Sequence, residues 1–292
     1  MLERIAGITF PIYALVAIGY AYGRWKKPDM GTANRLNMDI FVPALVFAAL
    51  ASKSFDITQN LPLLLGATAV VLGTGLLAWP VARLLGVATN TFVPPMMFKN
   101  SGNMGLPLAV LAFGDDALPA AVMLFLVSNL MHYSLGTWML DHRARLWNLW
   151  RVPVIAAALA GLAVSVLHVP LWQPLWLGVK MLGDVSIPLL LFSLGVRLAD
   201  SHHADWKLSI AGAITTPLAG FMVALPAIHL LGLGGRDAAM LTLFGALPPA
   251  VLNYIFAEHY RQDPERVASI VLVGNAASLL IIPLTLAWVL RQ

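Results

Sequence analysis

Three short segments of the chain recur at a nearly constant spacing. AWPVARLLG (Ala78 to Gly86) returns as ALPAIHLLG (Ala224 to Gly232), and LVSN ending at Asn129 returns as LVGN ending at Asn275. The same offset separates Pro80 from Pro226 and Asn129 from Asn275, while DIFVP from Asp39 returns as DVSIP from Asp184 one residue earlier. An offset of about half the chain, met three times, divides it into two homologous halves, 1–146 and 147–292.

Each half is built from apolar runs. Of 292 residues, 59% are apolar and 11% charged, against roughly 25% charged in a soluble domain. Runs long enough to cross about 30 Å of hydrocarbon lie near 5–24, 33–51, 61–84, 94–113, 117–140, 150–168, 173–198, 208–232, 237–258 and 266–290. Five spans per half is an odd number, so the second half enters the membrane from the opposite side. The expected fold is an all-α integral membrane protein of ten helices in two inverted five-helix repeats, an architecture typical of secondary transporters.

Charge gives the orientation. A sequence pI near 9.5 does not point to nucleic acid, because the basic residues sit in short loops between apolar runs. Alternating loops place twelve of the eighteen Lys and Arg on one side, among them Arg24, Lys26, Lys27, Arg35, Arg83 and Arg197, and four on the other. The richer side reads as cytoplasmic and both termini as outside. Basic residues follow the first run instead of preceding it, the reverse of a signal peptide. Trp25, Trp147, Trp150, Trp172, Trp176 and Trp206 fall near span ends, as interfacial anchors do. With no cysteine, no P-loop and no zinc-type His/Glu spacing, disulfides, ATP-driven transport and intramembrane metalloenzyme chemistry have no support, and no cofactor is expected.

The fourth and ninth runs are interrupted. KNSGNMGLPLAV (Lys99 to Val110) carries Asn100, Ser101, Asn103, Gly105 and Pro107, and GALPPAVLNY (Gly245 to Tyr254) carries Pro248, Pro249 and Asn253. Bare backbone in hydrocarbon costs several kcal/mol per unpaired group, so such breaks belong where protein or a watered cavity covers them. The spacing predicts an unwound centre and a half-helix starting near Gly105, with Asn103 as its N-cap. Free N–H groups and the helix dipole at such a start suit a carboxylate. Close helix packing by small residues is the plainer reading, but it does not call for three asparagines.

Other polar residues at depth keep two readings. Asp39 and Asp184 either couple a proton or sodium ion, or Asp184 pairs with Lys180 and Asp39 is solvated at the cytoplasmic surface. Asn129 and His132 share a face with Tyr133, and His132 either carries a proton or makes a helix contact. Lys99 either balances an anion in the cavity or snorkels to an interface.

The motifs N-S-G-N-M-G-L-P in the fourth span, I-P-L-L-L-F-S-L-G in the seventh, and A-L-P-P-A followed by F-A-E-H-Y in the ninth resemble the auxin efflux carrier family, whose wider fold relatives include the bile acid:sodium symporters. The resemblance implies crossed fourth and ninth helices and a homodimer. It also implies a transport domain (helices 3–5 and 8–10) moving against a scaffold (helices 1, 2, 6 and 7). In plant members an asparagine at the fourth-helix crossover contacts the substrate carboxylate, and Asn100 matches it. Asn253 stands where plant carriers have a proline, and Lys99 precedes Asn100; both departures favour a small organic acid over auxin. The expectation is a carrier of a small organic anion in the inner or plasma membrane. Alternatives are a sodium-coupled symporter of larger amphipathic anions, a membrane sensor or a channel.

Overall fold

The structure, a computed structural model, describes residues 1–52, 57–142, 152–200 and 205–291. Lys53, Arg143, Arg145, Trp147, Trp150 and Arg151, used above for orientation and anchoring, lie outside the described residues. Those described are helical, with one isolated β-bridge and no strand among them. In chain order the helices are α1 (Leu2–Lys26), α2 (Gly31–Leu50), α3 (Ile57–Leu84), α4 (Thr89–Met97), α5 (Ser101–Phe113), α6 (Asp115–Leu140) and α7 (Pro153–Val166). They are followed by α8 (Gln173–Asp184), α9 (Ser186–Asp200), α10 (Trp206–Leu230), α11 (Gly235–Ala246), α12 (Leu252–His259) and α13 (Pro264–Val289).

Among the described residues, seven stretches are long and apolar enough to cross a membrane unaided, with α8 and α9 counted as one. Large apolar side chains such as Phe10, Leu76, Leu230 and Leu280 are exposed on their outer faces, as lipid-facing residues are. Glycines set how closely the helices approach. α1 lies along α9, where Gly19 faces the Phe192 carbonyl and Gly195 faces that of Val16. α2 packs on α7 through Gly161 and on α8 through Gly183. A second group brings α3, α4, α11 and α13 around α10, where Gly220 meets the carbonyl of Gly245, and α6 packs on α3.

Local signals account for the ends. Asp205 Oδ1 accepts a hydrogen bond from Leu208 N (3.1 Å) and caps α10, and Arg24 and Lys26 close α1 in its last turn. Between α5 and α6 the chain turns at Gly114, whose φ of 86° is a left-handed conformation that glycine adopts without strain.

The two interrupted spans are where reading and structure part in detail. The fourth begins at Thr89 rather than near residue 94, and its break is short: Phe98 is extended (φ −96°, ψ 100°) and helix resumes at Ser101. The expected start near Gly105 with an Asn103 cap is therefore corrected. Asn100 O accepts from both Met104 N and Gly105 N at 3.1 Å, so Asn100 holds the cap position and Asn103 lies inside a π-helical turn, Ser101–Gly105. The reason lies in Pro107, which cannot donate to the turn before it. A wider turn ahead of it absorbs the missing bond.

Candidate functional site

The breaks at Phe98–Asn100 and Leu247–Val251 cross and pair with each other. Asn100 N donates to Pro248 O (2.8 Å) and Ala250 N donates to Phe98 O (2.9 Å), making a single antiparallel bridge between Lys99 and Pro249. Each break thus supplies the partners that the other's exposed backbone needs. Side chains complete the joint. Asn253 Nδ2 donates to Phe98 O (3.0 Å) and Ala250 O (2.9 Å). Asn275, on α13, donates to Pro249 O (3.0 Å) and accepts from Asn100 Nδ2 (2.9 Å).

Beside this crossing lies a cavity of about 380 Å³. Asn100, Ser101, Gly102 and Asn103 line it; Asn100 N and Ser101 N are taken by Pro248 O and Lys99 O (2.8 Å each), and Gly102 and Asn103, in the first turn of α5, present N–H groups without intrahelical acceptors. Val251 and Leu252 bring the start of α12 to the same space. α6 contributes Ser128, Asn129, His132 and Tyr133, α2 brings Asn34, Arg35 and Asn37, and α9 brings Ser193 and Arg197. No aspartate or glutamate lines the cavity among the described residues.

Three π-helical turns meet here: Asn37–Phe41 in α2, Ser101–Gly105 in α5 and His132–Gly136 in α6. Each contributes residues to the lining. Such turns add a residue to the helical repeat and cluster at functional sites.

The residues singled out in the sequence separate into groups. Asn100, Ser101, Asn103, Asn129, His132 and Lys99 line the cavity, whereas Pro248, Pro249 and Asn253 hold the crossing from behind. Gly105 and Pro107 lie further along α5, outside it. His132 is packed as an aromatic, stacked on Phe98 with ring centroids 4.1 Å apart and edge-on to Phe256. Lys99 does not snorkel, being 1% exposed, and its Nζ donates to the Thr216 carbonyl of α10 (2.8 Å). Asp39 and Asp184 are exposed and are not brought to the cavity; Asp184 pairs with Lys180 at 2.9 Å.

Sequence reasoning passed over Asn37 and Ser193, and treated Arg35 and Arg197 only as orienting charges. Asn275 was visible only as the repeat mate of Asn129. Its link to Asn100 spans 175 residues, and nothing local announces it.

The family model described as "Membrane transport protein" matches residues 7–146 and 143–286. The chain belongs to this family. Membrane transport proteins related to it include an uncharacterized transporter of Methanothermobacter thermautotrophicus, 24% identical over 94% of each chain. A putative malonate transporter of Rhizobium meliloti is 23% identical, over 95% of this chain and 93% of its own. Auxin efflux carrier component 6 of Arabidopsis thaliana is 24% identical over 58% of this chain and 29% of its own. The resemblance drawn from the broken-helix motifs is borne out, and the family and these relatives are transporters, not enzymes.

Proposed function

We propose that the chain is a secondary carrier that moves a small organic anion, a carboxylate, by alternating access at the crossing of the two broken helices. The observation that carries this reading is the character of the cavity wall. Arg35, Arg197, Lys99 and the N-terminal ends of α5 and α12 border it, and no carboxylate does among the described residues. Positive side chains and N–H groups at helix N-termini favour an anion in the space they border. The putative malonate transporter among the relatives fits the same substrate class.

In this reading the chain forms two inverted five-helix repeats with both termini outside the inner or plasma membrane. α1, α2, α7, α8 and α9 form the scaffold, and α3–α6 with α10–α13 the moving unit. Arg35 and Arg197 belong to the basic, cytoplasmic set, so the cavity opens inward.

The test is counterflow by purified protein in proteoliposomes, offered mono- and dicarboxylates under separate sodium and pH gradients. Saturable, trans-stimulated carboxylate uptake is expected. Flux that neither saturates nor counterflows marks a channel, and absence of carboxylate flux rejects the reading. A Cβ on Gly102 falls 3.0 Å from Phe125 Cε2, so Gly102→Leu fills the cavity from its crossing side. Uptake by that variant is expected to drop about tenfold or more with normal yield; wild-type rates in it place the pathway elsewhere.

Asp39 and Asp184 give the opposite expectation. The Lys180–Asp184 pair is about half exposed (45% and 55%), and exposed pairs contribute roughly 0–1 kcal/mol. Asp39→Asn and Asp184→Asn should keep uptake, with its dependence on sodium and pH unchanged. A changed ion dependence in either assigns that acid to coupling.

A further inference from the structure

A second hollow, of about 490 Å³, lies between α1 and α9 on one flank and α13 on the other. Its floor is buried: Met104, Asn275 and Ser278 are 3%, 4% and 1% exposed. Its rim is open, with Tyr20 and Leu279 46% and 49% exposed. Between them the lining is largely aliphatic, and it includes no aspartate or glutamate among the described residues. An apolar crevice that opens on the flank of a membrane-spanning bundle faces acyl chains.

The crevice has a direction. Tyr13 OH donates to Ser278 O (3.1 Å), and Arg291 Nε lies 3.3 Å from Met1 Sδ, so α1 and α13 run antiparallel. Tyr13 is the lining residue of α1 deepest in the membrane, and Arg24, in the last turn of α1, lines the other end together with Trp206 at the start of α10. Arg24 is exposed and has no ion-pair partner among the described residues. Lys26, Lys27 and Lys207 add exposed positive charge to the same helix ends, and the acid next to Trp206, Asp205, is engaged with Arg266 (3.7 Å). Eleven residues separate Tyr13 from Arg24, about 16 Å of helix, and one leaflet of hydrocarbon is about 15 Å deep.

We infer that this crevice binds one anionic phospholipid from the leaflet in which α1 ends. Its phosphate sits at the Arg24 guanidinium, which suits a bidentate phosphate contact. Trp206 lies at headgroup depth, where tryptophan is favoured, and one acyl chain runs along α1 to Tyr13. The occupant is a lipid and not a soluble phosphate, because the charge stands only at the mouth of a slot that is one leaflet deep and apolar for most of its length. The site is separate from the anion cavity and holds whatever the carrier moves.

The test is mass spectrometry of the intact full-length protein released from vesicles of equal phosphatidylglycerol and phosphatidylcholine with the same chains. The wild type is expected to retain phosphatidylglycerol about fivefold or more over phosphatidylcholine, the worth of one basic side chain at an anionic headgroup. Arg24→Gln should bring that ratio close to one. Arg83→Gln, an exposed basic residue stacked on Trp79 at the end of α3, should leave it unchanged. Ala276 lines the crevice and is exposed, so Ala276→Phe should fill the slot and lower retention of both lipids with an unchanged melting curve in detergent. If that variant does not fold, the Arg24→Gln ratio decides. Equal retention by the wild type, a preference that survives Arg24→Gln, or an equal loss in Arg83→Gln overturns the inference. Undiminished retention by a folded Ala276→Phe, or displacement of phosphatidylglycerol by an equal concentration of palmitate, overturns it too.

Discussion

Asn100→Ala is expected to lower carboxylate uptake in proteoliposomes by about 100-fold, the effect of roughly 3 kcal/mol lost from a buried contact to a charged group. The protein should still insert and purify. The two bonds that close the crossing, Asn100 N to Pro248 O and Ala250 N to Phe98 O, are made by main chain and survive the substitution. What is lost is a carboxamide that borders the cavity and donates to Asn275 Oδ1. Asn275→Ala removes the same bond from the other side and also releases Pro249 O, so it should impair uptake too. Because the two residues share one hydrogen bond, the double variant should be little worse than the weaker of the singles. Initial counterflow rates for the four proteins decide the matter. Undiminished uptake by Asn100→Ala removes the crossing from the binding site.

Gly195→Val should fail at an earlier stage, with little monodisperse protein recovered from detergent. A Cβ at Gly195 overlaps the Val16 carbonyl oxygen and comes within 2.7 Å of Tyr20 N. Both are main-chain atoms of α1, so no rotamer relieves the clash. Reciprocally, Gly19 presses on the Phe192 carbonyl of α9, and separating the helices sacrifices the apolar contact along their length. A cost of at least about 3 kcal/mol, at the upper end for overpacking, is expected. Gly7→Val is the control: it lies on α1, the partner helix in this packing, and nothing stands within 4 Å of a Cβ there. Thermal unfolding in detergent should separate the two, and a wild-type melting curve for Gly195→Val shows that α1 and α9 lie further apart.

The breaks were legible in the sequence because the bilayer makes them so. A run such as Lys99 to Pro107 stands out only in a solvent that penalises open backbone. The positions of seven of the ten expected spans were legible for the same reason. What escaped were features that depend on neighbours. The N-cap was placed at Asn103 from the rule that an asparagine near glycine and proline starts a helix, while the actual start at Ser101 follows from how a π-helical turn accommodates Pro107. Lys99 offered two orientations, and its partner, Thr216 O, lies on a helix that the motif does not mention. Asn37 and Ser193 are single polar residues in apolar helices, and only the packing of α2 beside α9 brings them to one wall.

A gap in a helix is ordinarily a place to bend. Here the two gaps are stitched to each other by main-chain bonds, clasped by Asn253 and riveted to α13 through Asn275. Phe98 between them is clamped by His132 of α6. An interruption of two helices is therefore tied down on several sides, and any shift is expected to carry α4, α5, α11 and α12 as one piece. In the carrier reading proposed above, exposure of the cavity to the far side of the membrane comes from sliding that piece past α2 and α9, with the unwound segments carried along unchanged.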